Sequence, residues 1–101
     1  MNLSLAQSQT EVWLPNVFSP NGDNINDVFL PVFNCEQVDF YNLQIFDRWG
    51  NLIFESLSKD KGWNGKYQDQ NINPGVYPYV VQYQIHGSER KVKAGDVTLV
   101  R

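Results

Sequence analysis

Few residues in this chain have the types and neighbours that chemistry needs. The densest cluster is the loop Ser19-Pro20-Asn21-Gly22-Asp23-Asn24-Ile25-Asn26-Asp27, where Asn21, Asp23 and Asp27 carry hard oxygens and Asn24 and Asn26 add more. Calcium takes about six to eight such ligands, part of them backbone carbonyls of a tight turn, so calcium is the one cofactor suggested. The EF-hand pattern is not met, because Ile25 stands where a fifth-position oxygen belongs and no Glu follows at the twelfth. A loop closed by Asx hydrogen bonds, with Gly22 left-handed, is the plainer reading and ranks ahead of the metal.

The remaining inventory argues against an enzyme. His86 is the only histidine and falls at the end of an alternating stretch, before Gly87-Ser88, as a solvent-facing strand residue would. Cys35 is the only cysteine, which rules out a disulfide within the chain and a cysteine-based zinc site. Its neighbour Glu36 is no base for a nucleophile, so an inert, partly buried thiol is expected. No serine stands in a G-x-S-x-G elbow. Trp13, Trp49 and Trp63 could together stack on a sugar, but each lies beside a turn, where an indole more often plugs the end of a core.

The elements that must position these residues read as strands. Val76 to His86 (VYPYVVQYQIH) alternates, with Tyr77, Tyr79, Val81, Tyr83 and Ile85 on one face. Pro78 cannot donate a ladder bond, so an edge or bulge is expected at that end. Shorter strands are predicted at Val12 to Leu14, Val28 to Phe33, Asn42 to Phe46 and Leu52 to Leu57. Asp47-Arg48-Trp49-Gly50-Asn51 forms a hairpin connection between the last two. Arg90 to Ala94 and Val97 to Arg101 end the chain, with a bulge expected at Gly95-Asp96 because the apolar phase changes there. The fold class that follows is all-β: an immunoglobulin-like antiparallel β-sandwich of about seven strands. Two facing sheets would bury the Tyr77–Ile85 stripe against Leu43, Ile45, Phe54, Val97 and Leu99.

Composition bounds the partners. The chain has 101 residues, the size of one domain, and 42% of them are hydrophobic, enough for a core. A formal net charge of −3 argues against nucleic acid, which calls for a basic face. Residues 1–10 read as a polar linker ahead of a domain at 11–101; they lack the basic start and apolar run of a signal peptide, so an export signal is expected on a larger parent protein.

Five blocks stand in a telling order: LPNVFSPNGDNINDVF (14–29), LQIFDRWGNLIFES (43–56), GWNGK (62–66), NPGVYPYVVQY (73–83) and GDVTLVR (95–101). Together they resemble the gliding motility-associated C-terminal domain, the type B sorting domain of the type IX secretion system. Asn24 departs from that pattern, which often has Gly there. The W-N-G and P-G-V-Y blocks also look like the immunoglobulin-like domain of flagellar hook-capping proteins, a likeness of architecture.

The resemblance implies a non-catalytic domain at the end of a larger cargo protein. It would guide that cargo from the periplasm through the outer-membrane translocon to the cell surface or medium, with a dedicated outer-membrane partner protein. The isolated domain is expected to be monomeric. A terminal strand ending the chain would leave an edge open to strand addition. Gly95, Val97, Thr98, Leu99, Val100 and Arg101 are therefore the first expected partner contacts, and the turn Arg48, Trp49 and Gly50 the second. The competing function is a carbohydrate-binding or calcium-dependent adhesive sandwich.

Overall fold

The computed structural model describes residues 12–22, 27–34 and 37–101. Its longest element is the strand read from the Tyr/Val alternation. This strand, β8 (Gly75–Ile85), buries Tyr79, Val81 and Tyr83 while the residues between them stay half-exposed. A strand of that length needs partners on both sides to satisfy its backbone. It has β9 (Lys91–Leu99) on one side and β4 (Val38–Phe46) on the other, both antiparallel. Outside β4 lies β5 (Leu52–Ser56), and outside β9 lies the two-residue β2 (Val17–Phe18), giving the order β2-β9-β8-β4-β5.

The sheet's inner face is covered by short pieces. Strands β1 (Val12–Trp13) and β3 (Val32–Phe33) form an antiparallel ladder of their own. Phe29 and Trp63 exchange backbone hydrogen bonds of 2.8 and 2.9 Å. Their approach depends on Gly62, where a methyl group would stand 2.6 Å from the Phe29 carbonyl oxygen. From this second layer Phe33 meets Tyr41 and Tyr83 edge-on, at ring distances of 5.8 and 5.4 Å. Phe29 lies against Tyr79 at 5.1 Å and Trp63 against Tyr77 at 5.4 Å. These aromatic pairs join the layers into one core, which Val12, Phe18, Leu43, Ile45, Val97 and Leu99 complete. A further hairpin, β6 (Lys66–Tyr67) with β7 (Gln70–Asn71), turns through Gln68 and Asp69, both left-handed at φ of 55° and 65°.

The architecture is the expected all-β, immunoglobulin-like sandwich; the described residues form no helix. Several details differ. The parallel β2–β9 pair breaks the antiparallel pattern. Leu43, Ile45, Val97 and Leu99 stand beside the Tyr77–Ile85 stripe in the same sheet, and aromatics of the short pieces are what face it. No bulge occurs at Gly95-Asp96: β9 keeps one register from Lys91, opposite Tyr83, to Leu99, opposite Gly75. The phase change has another cause. Val92 and Ala94 belong to the outer, solvated face and Val97 and Leu99 to the core. At Pro78 the expected edge is present, because the pairing with β4 ends one residue away, at Ile45 opposite Tyr79.

Candidate recognition surface

The turn between β4 and β5 is built around one carboxylate. Asp47 Oδ1 accepts the N–H groups of Trp49 and Asn51, each at 2.9 Å, and Oδ2 accepts the Asn51 side-chain amide at 3.1 Å. The backbone closes the same loop from Asp47 N–H to the Asn51 carbonyl at 2.9 Å, and Gly50 takes the left-handed φ of 84° that the turn requires. The Asn51 N–H leads in holding the Asp47 carboxyl below its usual value, helped by the Asn51 side chain, the Trp49 N–H and the Arg48 charge, against opposing desolvation. The result is a fixed turn that leaves Trp49 79% exposed.

Beside this turn lies a cleft of about 690 Å³. Trp49 and Leu52 line one side, Tyr67 and Ile72 another, and Val76 and Tyr77 bring the start of β8. That part of β8 runs on past the end of the β4 ladder. Trp49, Leu52, Tyr67 and Val76 are all large apolar side chains exposed by 42% or more. The Tyr77 hydroxyl donates to the Asn73 carbonyl and ties the strand entry to the preceding loop. Neither Tyr67 nor Ile72 was legible as a site residue, since two-residue strands leave no alternation to read.

The end of β9 is arranged differently from the free edge expected. Thr98 N–H donates to the Asn16 carbonyl at 2.9 Å and Val100 N–H to the Phe18 carbonyl at 3.0 Å, so β2 occupies that edge. The sequence offered no strand signal at Val17-Phe18, which pairs over only two residues after Pro15. Val97 and Leu99 are fully buried. Gly95 lies under the Tyr79 ring, where a methyl group would stand 2.8 Å from Oη. Burial, with the Asp96 charge second, raises the Tyr79 pKa. Val100 is exposed, while the Arg101 guanidinium reaches back to the Gly65 carbonyl at 2.8 Å and the Ile72 carbonyl at 3.2 Å.

Residues 12–99, from the first strand to the end of the last, match the family model described as the CHU_C Type IX secretion signal domain. The chain belongs to that family. Comparison with curated proteins gives no significant match. Membership makes this a sorting signal for secretion, carried by a larger cargo, acting with the secretion machinery and bound for the cell surface or the medium.

Within this type IX secretion signal domain the other singled-out residues have modest surroundings. In the Asn21–Asp27 loop, Asn21 N–H donates to the Ser19 carbonyl at 2.9 Å and Gly22 N–H to Asp27 Oδ1 at 3.1 Å. The first is a backbone–backbone bond and the second reaches a side chain five residues further on, with Gly22 left-handed at φ 82°. Asp23, Asn24, Asn26 and Cys35 lie outside the described residues, as does the 1–10 linker. Among the described residues no group of three or more His, Cys, Asp or Glu comes together. His86 Nδ1 sits 3.1 Å from Asp39 Oδ2 at the exposed end of the sheet. The three tryptophans make no single exposed row, because Trp63 is fully buried with its indole N–H on the Lys66 carbonyl at 3.0 Å.

Proposed function

We propose that this domain is the non-catalytic C-terminal address of an exported protein. It is read in the periplasm as a folded monomer by the type IX outer-membrane translocon and a dedicated outer-membrane partner protein. The observation that carries this reading is the family match running through every strand of the sandwich. The geometry supports it, because a body cross-braced by aromatic pairs presents the same surface whatever cargo precedes it. The contact surface proposed is the Arg48-Trp49-Gly50 turn with its cleft, joined by the exposed side of Thr98 to Arg101. Val97, Leu99 and Gly95 serve that surface from beneath, through packing.

The test is export of a fluorescent carrier that bears an inner-membrane signal and ends in residues 11–101. In a host with the secretion system the fusion should reach the surface or medium, and in a strain lacking the translocon it should stay in the periplasm. Equal export from both strains would contradict the proposal. Removing residues 95–101 is a poor control, since it takes Val97 and Leu99 out of the core and tests folding instead.

A further inference from the structure

Three sequence blocks distant along the chain meet around Gly65. A methyl group on this buried, left-handed glycine (φ 80°) would stand 3.2 Å from Arg101 Nη2, 3.2 Å from Pro20 Cγ and 3.3 Å from Leu99 Cδ1. Gly65 also closes the β6–β7 hairpin at its base, where its carbonyl accepts the Ile72 N–H at 3.3 Å. The same carbonyl takes Arg101 Nη2 at 2.8 Å, and Arg101 Nε holds the Ile72 carbonyl at 3.2 Å. One planar guanidinium thus bridges both strands' bases. A planar fork with several donors suits two separated carbonyls, and hydrogen bonds from a charged donor are the stronger kind. The hairpin's other ties are the Trp63 indole N–H on the Lys66 carbonyl and the packing of half-buried Ile72 on the core. Its strands are two residues each, all four of them exposed, and a lone two-stranded hairpin is marginal in water.

We propose that Arg101 is a positioning residue for recognition: its guanidinium latches the β6–β7 hairpin to the end of β9 and so sets the cleft wall that Tyr67 and Ile72 provide opposite Trp49. The proposal rests on the sorting reading for its biological consequence, but not for its geometry. Arg101 acts through Gly65 and Ile72, so the last residue of the GDVTLVR block shapes the contact surface through the hairpin it holds.

Hydrogen exchange on the full chain tests this apart from export. Arg101→Ala should speed exchange of the Ile72 amide and the Trp63 indole N–H by about tenfold to a hundredfold, the cost of losing a charged hydrogen bond. The Val81 amide at the sheet centre should keep its wild-type chemical shift, which confines the structural change to the hairpin. Arg101→Lys, which keeps the charge but not the fork, should fall between. Arg48→Ala should leave all three probes unchanged. In the export assay the order should be wild type, Arg101→Lys, Arg101→Ala. Unchanged hairpin exchange in Arg101→Ala, or a displaced Val81 amide resonance, would overturn the latch. Failure of the wild-type fusion to be exported would instead remove the sorting reading, with the exchange rates still deciding the latch.

Discussion

At the scale of single residues, the side chains that matter are those whose surroundings leave one role. Asp47 is a turn-former: its acceptor oxygens are engaged by Trp49 and Asn51. Because its folded pKa lies below the usual carboxylate value, its contribution is complete above that value and is lost as pH falls through the lowered one. An NMR titration should therefore show the Trp49 amide shifting at acid pH, and Asp47→Asn should remove that step. An unmoved Trp49 amide would break the assignment. Tyr41 is the converse case. Its hydroxyl is buried with no hydrogen-bond partner among the described residues, and that desolvation raises its pKa far above the ordinary tyrosine value. Tyr41→Phe removes a buried unsatisfied group, so a gain of about 1 kcal/mol is expected in denaturant unfolding. A loss of stability would show that the hydroxyl has a partner. Trp63 is fully buried, and Trp63→Ala should cost about 3–5 kcal/mol by the same measurement. Of these roles the Asp47 turn was legible from Gly50-Asn51, and Trp63 as a plug from its Asn-Gly neighbour. The orphan at Tyr41 was not, since alternation tells which way a side chain points but not what waits for its hydroxyl.

At the scale of elements, β9 shows how much a period can carry. Its apolar phase was legible and its meaning was not: Val92 and Ala94 against Val97 and Leu99 looked like a bulge, yet the register is unbroken. A strand can be apolar on its solvated face for part of its length, and only the partner strand tells the two cases apart. Gly95 then has a cross-strand role. It stands opposite Tyr79 in the register and leaves room for that ring, which is 7% exposed and so has nowhere to swing. Gly95→Ala should cost about 1–3 kcal/mol through overpacking. Because the nearest atom to the new methyl is the Tyr79 hydroxyl oxygen, Tyr79→Phe in the same chain should recover part of the loss. Strict additivity of the two changes in a double-mutant cycle would contradict this packing account. The elements missed outright, β2 and the β6–β7 hairpin, are two residues long. Tertiary pairing makes them strands, and no local propensity announces them.

At the scale of the whole molecule, the sandwich joins a continuous five-stranded sheet to a second layer assembled from fragments. The fragments hold because Phe29, Phe33 and Trp63 each set a ring against a tyrosine of the sheet. The fold class was legible because β8 alternates so strongly. The layer assignment was not, since β4, β8 and β9 all carry core residues of one face and nothing local says that they are neighbours. The candidate site was half legible. Arg48, Trp49 and Gly50 were visible as a turn, while the cleft beside them exists only once the hairpin folds back. In the GDVTLVR block the core places of Val97 and Leu99 were legible, whereas the pairing of β2 along that edge and the reach of Arg101 to the Gly65 carbonyl were not.

The central claim is that a folded surface around Trp49, and not the linear C-terminal peptide, is the sorting signal. Its most direct test is export of the carrier fusion with Trp49→Ala, a substitution at a 79% exposed site that should leave the melting temperature within a degree or two. The expected result is a fully folded fusion that accumulates in the periplasm, with its GDVTLVR terminus intact. Wild-type export of that variant would contradict the claim.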